Sequence, residues 1–167
     1  ILEGQLVMVD NKGYIPIEQI LTDDTINNNK IYDITKQSSD DELIQIPKSF
    51  FGNNMPMNNL CVTPNHLIYN YFTKQLINAK ELLIYDNIKL LKPKNNVHVY
   101  NILFKDWVVI KVENILVESL CPFINFNKNT FTKCGIYNDI QQVFSKEYNT
   151  ITCTNEVNID NYKIIKV

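Results

Sequence analysis

Residues 60–70 read LCVTPNHLIYN, two short apolar segments separated by a Thr-Pro-Asn-His step. Pro64 fixes one backbone dihedral and disfavours a helix at the residue before it, so the chain bends between the two segments. Thr63 and His66 flank this bend and bring a hydroxyl and an imidazole together at a turn. The stretch therefore predicts either a hairpin corner or a functional site that uses Thr63 and His66.

The composition is that of an ordinary folded domain. The 167 residues are 45% hydrophobic and 11% aromatic, enough to bury the core of a single domain. The net charge is −2 and no lysine cluster alternates with aromatic residues, so we expect no nucleic-acid partner. The apolar runs are strand-sized and broken by charges, which predicts a soluble chain without a membrane span or a signal peptide. The first residue is Ile1, which suggests a fragment or a processed product, and the oligomeric state stays open.

The cysteines are too scattered to indicate a metal site. No pair has the C-x-x-C spacing and only two histidines could join them, so we expect no structural zinc and no cofactor. Cys61 lies in an apolar alternation and is predicted to be a small buried side chain. Nothing in the sequence marks an oxidising compartment, which favours free thiols and an intracellular location. The four cysteines are Cys61, Cys121, Cys134 and Cys153, and the two histidines are His66 and His98.

Short apolar segments at close spacing predict an all-β domain with short helices. Residues 5–9 and 14–17 flank an Asp-Asn-Lys-Gly turn, the pattern of a hairpin. Asn78 is suited to cap a short helix over residues 78–83, and residues 38–41 form a polar loop. Further strands are predicted at residues 31–35, 43–46, 69–72, 75–77, 88–91, 97–104, 107–112 and 115–117.

The last part of the chain is less regular. Residues 138–148 fit a helix, and residues 150–154 and 162–167 fit two strands. No repeat or linker-like tract separates this part from the rest. We therefore expect residues 120–167 to be a C-terminal extension packed on the same globule as residues 1–119.

Three separated segments carry recognisable phrases. They are residues 2–20, with a Gly-containing start, an N-x-G turn and the phrase Pro-Ile-Glu-Gln-Ile; residues 61–68, with the T-x-x-H step; and residues 99–117, with Val-Tyr-Asn-Ile and Asn-Ile-Leu-Val. Together they resemble the blocks of the Hint family, the self-processing fold shared by inteins and the C-terminal part of Hedgehog proteins. Ala79, Leu82 and Asp86 are placed like that family's A-x-x-L phrase and later Asp. The resemblance covers residues 1–119 and implies a compact all-β, Hint-like fold.

The resemblance also implies a chemistry. In the family, the thiol or hydroxyl of the first residue attacks the carbonyl just before it and converts an amide into a thioester or ester. The block histidine strains or protonates the scissile amide nitrogen, and the neighbouring threonine helps to hold that geometry. Here these roles would fall to His66 and Thr63. The substrate would be the upstream polypeptide of the same molecule.

Several positions depart from the family pattern. Ile1 stands at the nucleophile position, and an isoleucine side chain has no lone pair with which to attack a carbonyl. Val108 stands where a histidine is frequent, and Asn101 where an acidic residue is frequent. Glu118 and Ser119 stand where splicing members carry His-Asn, and a serine cannot cyclise to release a downstream segment. The sequence therefore predicts no splicing, with Ile1 explained by an engineered replacement, by natural loss or by a misaligned first residue.

Cys121 lies near the place where splicing members carry a second nucleophile, although its register is shifted and packing between Leu120 and Pro122 is the alternative. Three functions follow from these residues: a self-processing domain deficient in its nucleophilic step, a non-catalytic Hint-derived structural or interaction module, and a hydrolase that uses His66. No nucleophile elbow supports the hydrolase. If the Hint interpretation holds, Ile1 lies close to His66 and to the end of the strand that precedes Ser119. His98, in a Val-His-Val alternation, is predicted to face outwards.

Overall fold

The computed structural model describes residues 1–105 and 108–119, together with the backbone of residues 126–127 and 130–131. In these ranges the secondary structure consists of short β-strands and two 3₁₀ helices, Ile17–Gln19 and Ala79–Ile84. The strands are β1 Leu6–Val9, β2 Gly13–Pro16, β3 Thr25–Ile26, β4 Asn29–Lys30, β5 Asp33–Ser39, β6 Leu43–Ile46, β7 Leu60–Val62, β8 Leu67–Asn70, β9 Gln75–Asn78, β10 Lys89–Leu91, β11 Val97–Leu103, β12 Val109–Val112, β13 Ile115–Glu118, β14 Phe126–Asn127 and β15 Thr130–Phe131. The all-β prediction is confirmed.

The largest sheet has six antiparallel strands in the order β2-β1-β12-β13-β8-β9. Val7 on β1 lies opposite Val112 on β12, and Val117 on β13 lies opposite Ile68 on β8. All four side chains are fully buried, because alternate residues of each strand point to the same face of the sheet. Strands that are far apart in the sequence, β1 and β12, therefore share one core.

A second group of strands covers this core. Strands β10, β6 and β7 form a three-stranded antiparallel sheet, and β5 pairs with β11 over seven residues. Ile44, Ile46 and Leu60 from this group are fully buried in the same hydrophobic cluster as Val7 and Val117. Smaller antiparallel pairs are formed by β3 with β4 and by β14 with β15.

The predicted hairpin at the start of the chain is present. Strands β1 and β2 pair from Leu6 opposite Pro16 to Val9 opposite Gly13. The turn between them uses positive φ at Asn11, 60°, and at Gly13, 75°. Asparagine and glycine tolerate this conformation best, which is why the Asp-Asn-Lys-Gly pattern identifies the turn from sequence.

The hairpin of β8 and β9 is also present, but its first strand begins and ends earlier than predicted, at Leu67 and Asn70. The side-chain oxygen of Asn70 accepts hydrogen bonds from the backbone of Phe72, at 2.9 Å, and of Thr73, at 3.3 Å. This side chain turns the backbone away from the ladder at Asn70. Phe72 is consequently in the turn and 54% exposed.

Strand β5 differs from its prediction in the opposite direction. It runs from Asp33 to Ser39 and so continues through residues predicted as part of a loop. Partner β11 explains the extension, because pairing continues as far as Ser39 opposite Val97. Long-range pairing here overrides the local preference of polar residues for a loop.

The hairpin-corner interpretation of residues 60–70 is wrong. Strand β7 belongs to the three-stranded sheet and β8 to the six-stranded sheet, so the two do not pair with each other. The Thr-Pro-Asn-His step instead carries the chain from one sheet to the other. The helix and strands predicted within residues 138–167 lie outside the described residues, and in the described part no helix is long and apolar enough to cross a membrane.

Candidate functional site

Residues 1–3 lie between two strands that are far apart in sequence. The nitrogen of Ile1 donates to the Tyr100 carbonyl at 3.1 Å, and the Tyr100 nitrogen donates to the Ile1 carbonyl at 2.7 Å. The Glu3 nitrogen donates to the His98 carbonyl at 3.0 Å, also on β11. On the other side, the Leu2 nitrogen donates to the Cys61 carbonyl of β7 at 3.4 Å. The start of the described chain is thus held from both sides.

Residue 1 is buried in this position. Ile1 is 3% exposed and belongs to the main hydrophobic cluster. Burial lowers the pKa of its amine from 8.0 to about 5, because a charged nitrogen loses solvation inside the protein. Cys61 and Glu118 oppose this effect electrostatically and raise the pKa of the same amine by smaller amounts. Both side chains are therefore within electrostatic range of the residue-1 nitrogen.

The Thr-Pro-Asn-His turn is fixed by backbone hydrogen bonds. The His66 nitrogen donates to the Thr63 carbonyl at 3.0 Å and closes the turn. Two amides at the beginning of the 3₁₀ helix clamp it from outside, Ala79 to the His66 carbonyl and Lys80 to the Pro64 carbonyl, both at 2.9 Å. The A-x-x-L phrase that resembled the family is thus the element that supports the turn.

The helix is held in register by its first residues. The Asn78 nitrogen donates to the Glu81 carboxylate at 2.9 Å, the bond that defines a capping box. Asn78 is therefore the N-cap, as predicted. Ala79 and Leu82 are fully buried, so the helix face that carries them packs on the core.

The two predicted site residues of the turn are both half-buried. The Nε2 atom of His66 is buried. Within the described residues, no hydrogen bond of the Thr63 hydroxyl is found, and the turn uses the Thr63 carbonyl instead. The hydroxyl is therefore not committed to holding the turn.

Glu118 was not predicted as a functional residue, yet it binds the amide that follows the turn. It is the last residue of β13 and is 5% exposed. The Leu67 nitrogen, directly after His66, donates to its Oε1 atom at 3.1 Å. A glutamate at the end of the apolar segment Ile-Leu-Val-Glu was the available sequence signal, but its burial depends on a contact with β8.

Glu118 interacts with two segments of the candidate site. It accepts from the Leu67 nitrogen, directly after the Thr63–His66 turn, and it acts electrostatically on the residue-1 nitrogen between β7 and β11. The backbone of Ser119 pairs with Val108 rather than with this centre. Its nitrogen donates to the Val108 carbonyl at 3.0 Å, and its hydroxyl accepts from the Val108 nitrogen at 3.2 Å.

Two other predicted positions contribute less. Asn101 lies on β11 directly after Tyr100, is half-buried and is opposite Thr35. Cys121 lies outside the described residues, so the structure gives no account of it. Among the described residues, no group of three or more potential ligands could hold a metal ion.

Cys61 is a buried free thiol beside the centre, 7% exposed. Burial raises the pKa of the Cys61 thiol, which a hydrogen bond from Gln45 Nε2, 3.7 Å from Sγ, opposes. A thiol with a raised pKa is mostly protonated at neutral pH and is a poor nucleophile. The prediction of a small buried side chain is therefore confirmed.

A second buried carboxylate lies at the other end of β13, in the turn from β12. Glu113 is 1% exposed and accepts from the Leu6 nitrogen at 2.7 Å and from Asn58 Nδ2 at 2.9 Å. Gln5 Nε2 lies 3.4 Å from the same carboxylate and donates also to the Asn59 carbonyl, and Gln5 Oε1 accepts from the Cys61 nitrogen. This network ties β1 to β7 and to the β12–β13 turn, and the sequence patterns did not predict it.

A surface cluster borders the centre on the outside. Glu3 lies 3.0 Å from His98 Nδ1, 3.0 Å from the Tyr100 hydroxyl and 3.4 Å from Lys36 Nζ. Hydrogen bonds from His98 and Tyr100 hold the pKa of the Glu3 carboxyl below its usual range. His98 is exposed, as predicted for a residue on the outer face of its strand.

The sequence is similar to a known protein family. A family model described as the Hint domain matches residues 1–123. No curated protein matches the sequence. Four chains of solved structures match, among them a glutathione-linked, splice-inactive variant of the AceL NrdHF class 3 split intein. That chain is 15% identical, with a TM-score of 0.42, and the match covers 72% of this chain and 97% of that one.

Proposed function

This chain belongs to the Hint domain family, and from that premise we propose that it is a self-processing domain of the intein and Hedgehog type, deficient in its nucleophilic step at residue 1. Its substrate is the peptide bond that joins residue 1 to an upstream segment of the same polypeptide. The observation that carries the proposal is the position of the residue-1 nitrogen, which is buried between β7 and β11 and on which Glu118 acts electrostatically.

The geometry suits the cleavage of an amide at this nitrogen. The nitrogen donates to the Tyr100 carbonyl, which fixes its orientation. A peptide nitrogen leaves only after it takes up a proton, and a nearby imidazole is the side chain best suited to deliver one near neutral pH. His66, with its buried Nε2 atom, is the candidate for that role. The Thr63 hydroxyl, which bonds to no other described residue, is the candidate to orient the scissile carbonyl.

The step that fails is the attack itself. In a chain with cysteine at residue 1, a bond forms from sulfur to the preceding carbonyl carbon and the carbon–nitrogen bond breaks. The proton lost by the thiol is balanced by the proton gained by the nitrogen, so the amide becomes a thioester and a free amine. Ile1 has no atom that can form the new bond.

The test restores the missing group. Ile1→Cys, with a short peptide placed upstream, is expected to undergo the acyl shift, and dithiothreitol then cleaves the upstream peptide from the domain. Intact-mass spectrometry measures the cleaved fraction. Adding His66→Ala is expected to slow cleavage by roughly 10²–10⁴-fold, the effect of a positioned acid–base group.

The matched control is Ile1→Ala with the same upstream peptide, which removes the isoleucine without supplying a nucleophile and should stay intact. Circular dichroism establishes that each variant is folded. An Ile1→Cys protein that is folded and remains uncleaved would contradict the proposal.

A specific observation supports a second candidate, a Hint-derived module without catalysis. Ile1 packs in the core and the Ser119 hydroxyl is bound to the backbone of Val108, so both positions serve the fold. In that case Ile1→Ala costs about 2–5 kcal/mol of unfolding free energy, as for other buried isoleucines. Such a loss together with no cleavage in Ile1→Cys would favour this module.

A further inference from the structure

Glu118 is buried, and burial of a charged carboxylate costs free energy because the group loses its solvation. It is 5% exposed, and an ionised carboxylate in an apolar surrounding is stable only when donors or positive charges face it. One donor is the Leu67 amide, at 3.1 Å from Oε1. A glutamate at this position is therefore explained by the donors and charges with which its carboxylate interacts.

The Leu67 amide is part of the Thr63–His66 turn. Leu67 begins β8 directly after His66, and the neighbouring pair, Val117 opposite Ile68, aligns β13 with β8 at this level. The carboxylate therefore anchors the first amide of β8, directly after the histidine, to the end of β13. The Ala79 and Lys80 amides hold the other side of the same turn.

Glu118 also acts electrostatically on the residue-1 nitrogen. Three titratable residues from different elements interact with that nitrogen. Glu118 on β13 and Cys61 on β7 act on it electrostatically, and the backbone carbonyl of Tyr100 on β11 accepts its hydrogen bond. Of the two side chains that act electrostatically on the nitrogen, Glu118 is the one with a carboxylate. A fixed negative charge there favours the protonated form of an amine.

We propose that Glu118 is a positioning residue of this site: its carboxylate holds the first amide after the Thr63–His66 turn, and its charge favours uptake of a proton by the residue-1 nitrogen. The inference rests on the proposed function and assigns to it a residue outside the T-x-x-H step. The proton balance is unchanged, since Glu118 transfers none and acts on the equilibrium of the nitrogen.

The first experiment measures cleavage in the Ile1→Cys protein with its upstream peptide. Glu118→Gln keeps an oxygen that can accept from Leu67 but removes the charge. We expect cleavage to slow by roughly 10–100-fold at neutral pH, less than for a group that itself transfers the proton. The optimum should also move to lower pH, because the nitrogen then takes up a proton only in more acidic solution. Glu113→Gln, at the other end of β13, is the matched control and should leave the rate and the pH profile unchanged.

The second experiment does not depend on cleavage. In the protein that begins at Ile1, the ¹³Cα chemical shift of residue 1 reports the titration of its amine. Glu118→Gln should lower the midpoint of this titration, and Glu113→Gln should leave it in place. A midpoint that Glu118→Gln does not move overturns the inference, whether or not Ile1→Cys cleaves.

The two results separate the two proposals. A lowered midpoint with no cleavage in Ile1→Cys places Glu118 as inferred and rejects the proposed function. Cleavage in Ile1→Cys that is equally fast with Glu118→Gln keeps the proposed function and rejects the role of Glu118. Melting midpoints of both glutamine variants, measured in parallel, show that the comparison is made between folded proteins.

Discussion

A buried glutamate lies at the end of β13 and another in the turn that leads into this strand, and the partners of the two side chains differ. Glu113, 1% exposed, accepts from the Leu6 amide and from Asn58, and its partners hold the first strand in place. Glu118, 5% exposed, accepts from the Leu67 amide and is within electrostatic range of the residue-1 nitrogen. Burial alone does not distinguish a carboxylate that stabilises the fold from one at the candidate functional site. The two are distinguished by the groups with which each carboxylate interacts.

Removing the structural carboxylate should have the largest effect on stability. Glu113→Ala leaves the Leu6 amide and the Asn58 side chain without their acceptor, at roughly 1–3 kcal/mol for each buried donor. We expect a loss of about 3–5 kcal/mol of unfolding free energy, measured by urea denaturation. Glu118→Gln should lose much less, and equal losses for the two variants would erase the distinction between the two glutamates.

The next largest effect is a pH dependence of the unfolding free energy, caused by the buried amine of a protein whose first residue is Ile1. Its pKa is lowered from 8.0 to about 5 on folding, so between these values the unfolded chain binds the proton and the folded chain does not. Stability is therefore full above pH 8.0 and is lost as the pH falls towards about 5. The loss is about 4 kcal/mol, from the linkage between a pKa difference and free energy.

A matched protein carries one or more residues before Ile1, which turns the amine into an amide that cannot titrate. The difference in stability between the two proteins, followed by urea denaturation across this pH range, isolates the amine from all other groups. Identical pH dependences would show that the nitrogen is not buried as described.

The capping box tests the support of the turn from the side opposite Glu118. Glu81→Ala removes the acceptor for the Asn78 amide and should cost about 0.5–2 kcal/mol, as for other capping interactions. Because Ala79 and Lys80 follow the cap and clamp the turn, cleavage in the Ile1→Cys protein should slow as well. A thermal melt and the mass assay give the two values, and an unchanged cleavage rate would mean that the turn holds its shape without the helix.

Thr63→Val should have the smallest effect on stability. The Thr63 hydroxyl has no hydrogen bond to another described residue, so its loss should change the unfolding free energy by no more than about 0.5 kcal/mol. In the Ile1→Cys protein the same substitution should slow cleavage, since the hydroxyl is proposed to orient the carbonyl. A stability loss of about 1 kcal/mol or more, the worth of a hydrogen bond, would instead assign the hydroxyl to the fold.

Local patterns predicted much of this structure, and long-range contacts decided the rest. The first hairpin and the Asn78 cap follow from neighbouring residues, because positive φ and capping are properties of a few adjacent side chains. The separation of β7 and β8 into different sheets does not, since the partners of a strand are not written in its own residues. Glu113 contacts an amide 107 residues away and Glu118 one 51 residues away, distances at which no periodicity predicts a pair.

The candidate site shows the same division. His66 and Thr63 were identified from a four-residue step, whereas Glu118 was noted only as a departure from a family pattern. Its contact with the Leu67 amide required the register of β13 against β8, which only the folded chain defines.

The central claim is that the peptide bond before residue 1 lies in a buried centre, and hydrogen exchange tests it without any substitution. In a ¹⁵N-labelled chain extended upstream, the residue-1 amide is measured by NMR beside the core amides of β1 and β12. Exchange is expected to be slow at residue 1, because its amide donates to the Tyr100 carbonyl away from solvent, and fast in the outermost residues of the added peptide. Exchange at residue 1 as fast as in the outermost residues would contradict this claim.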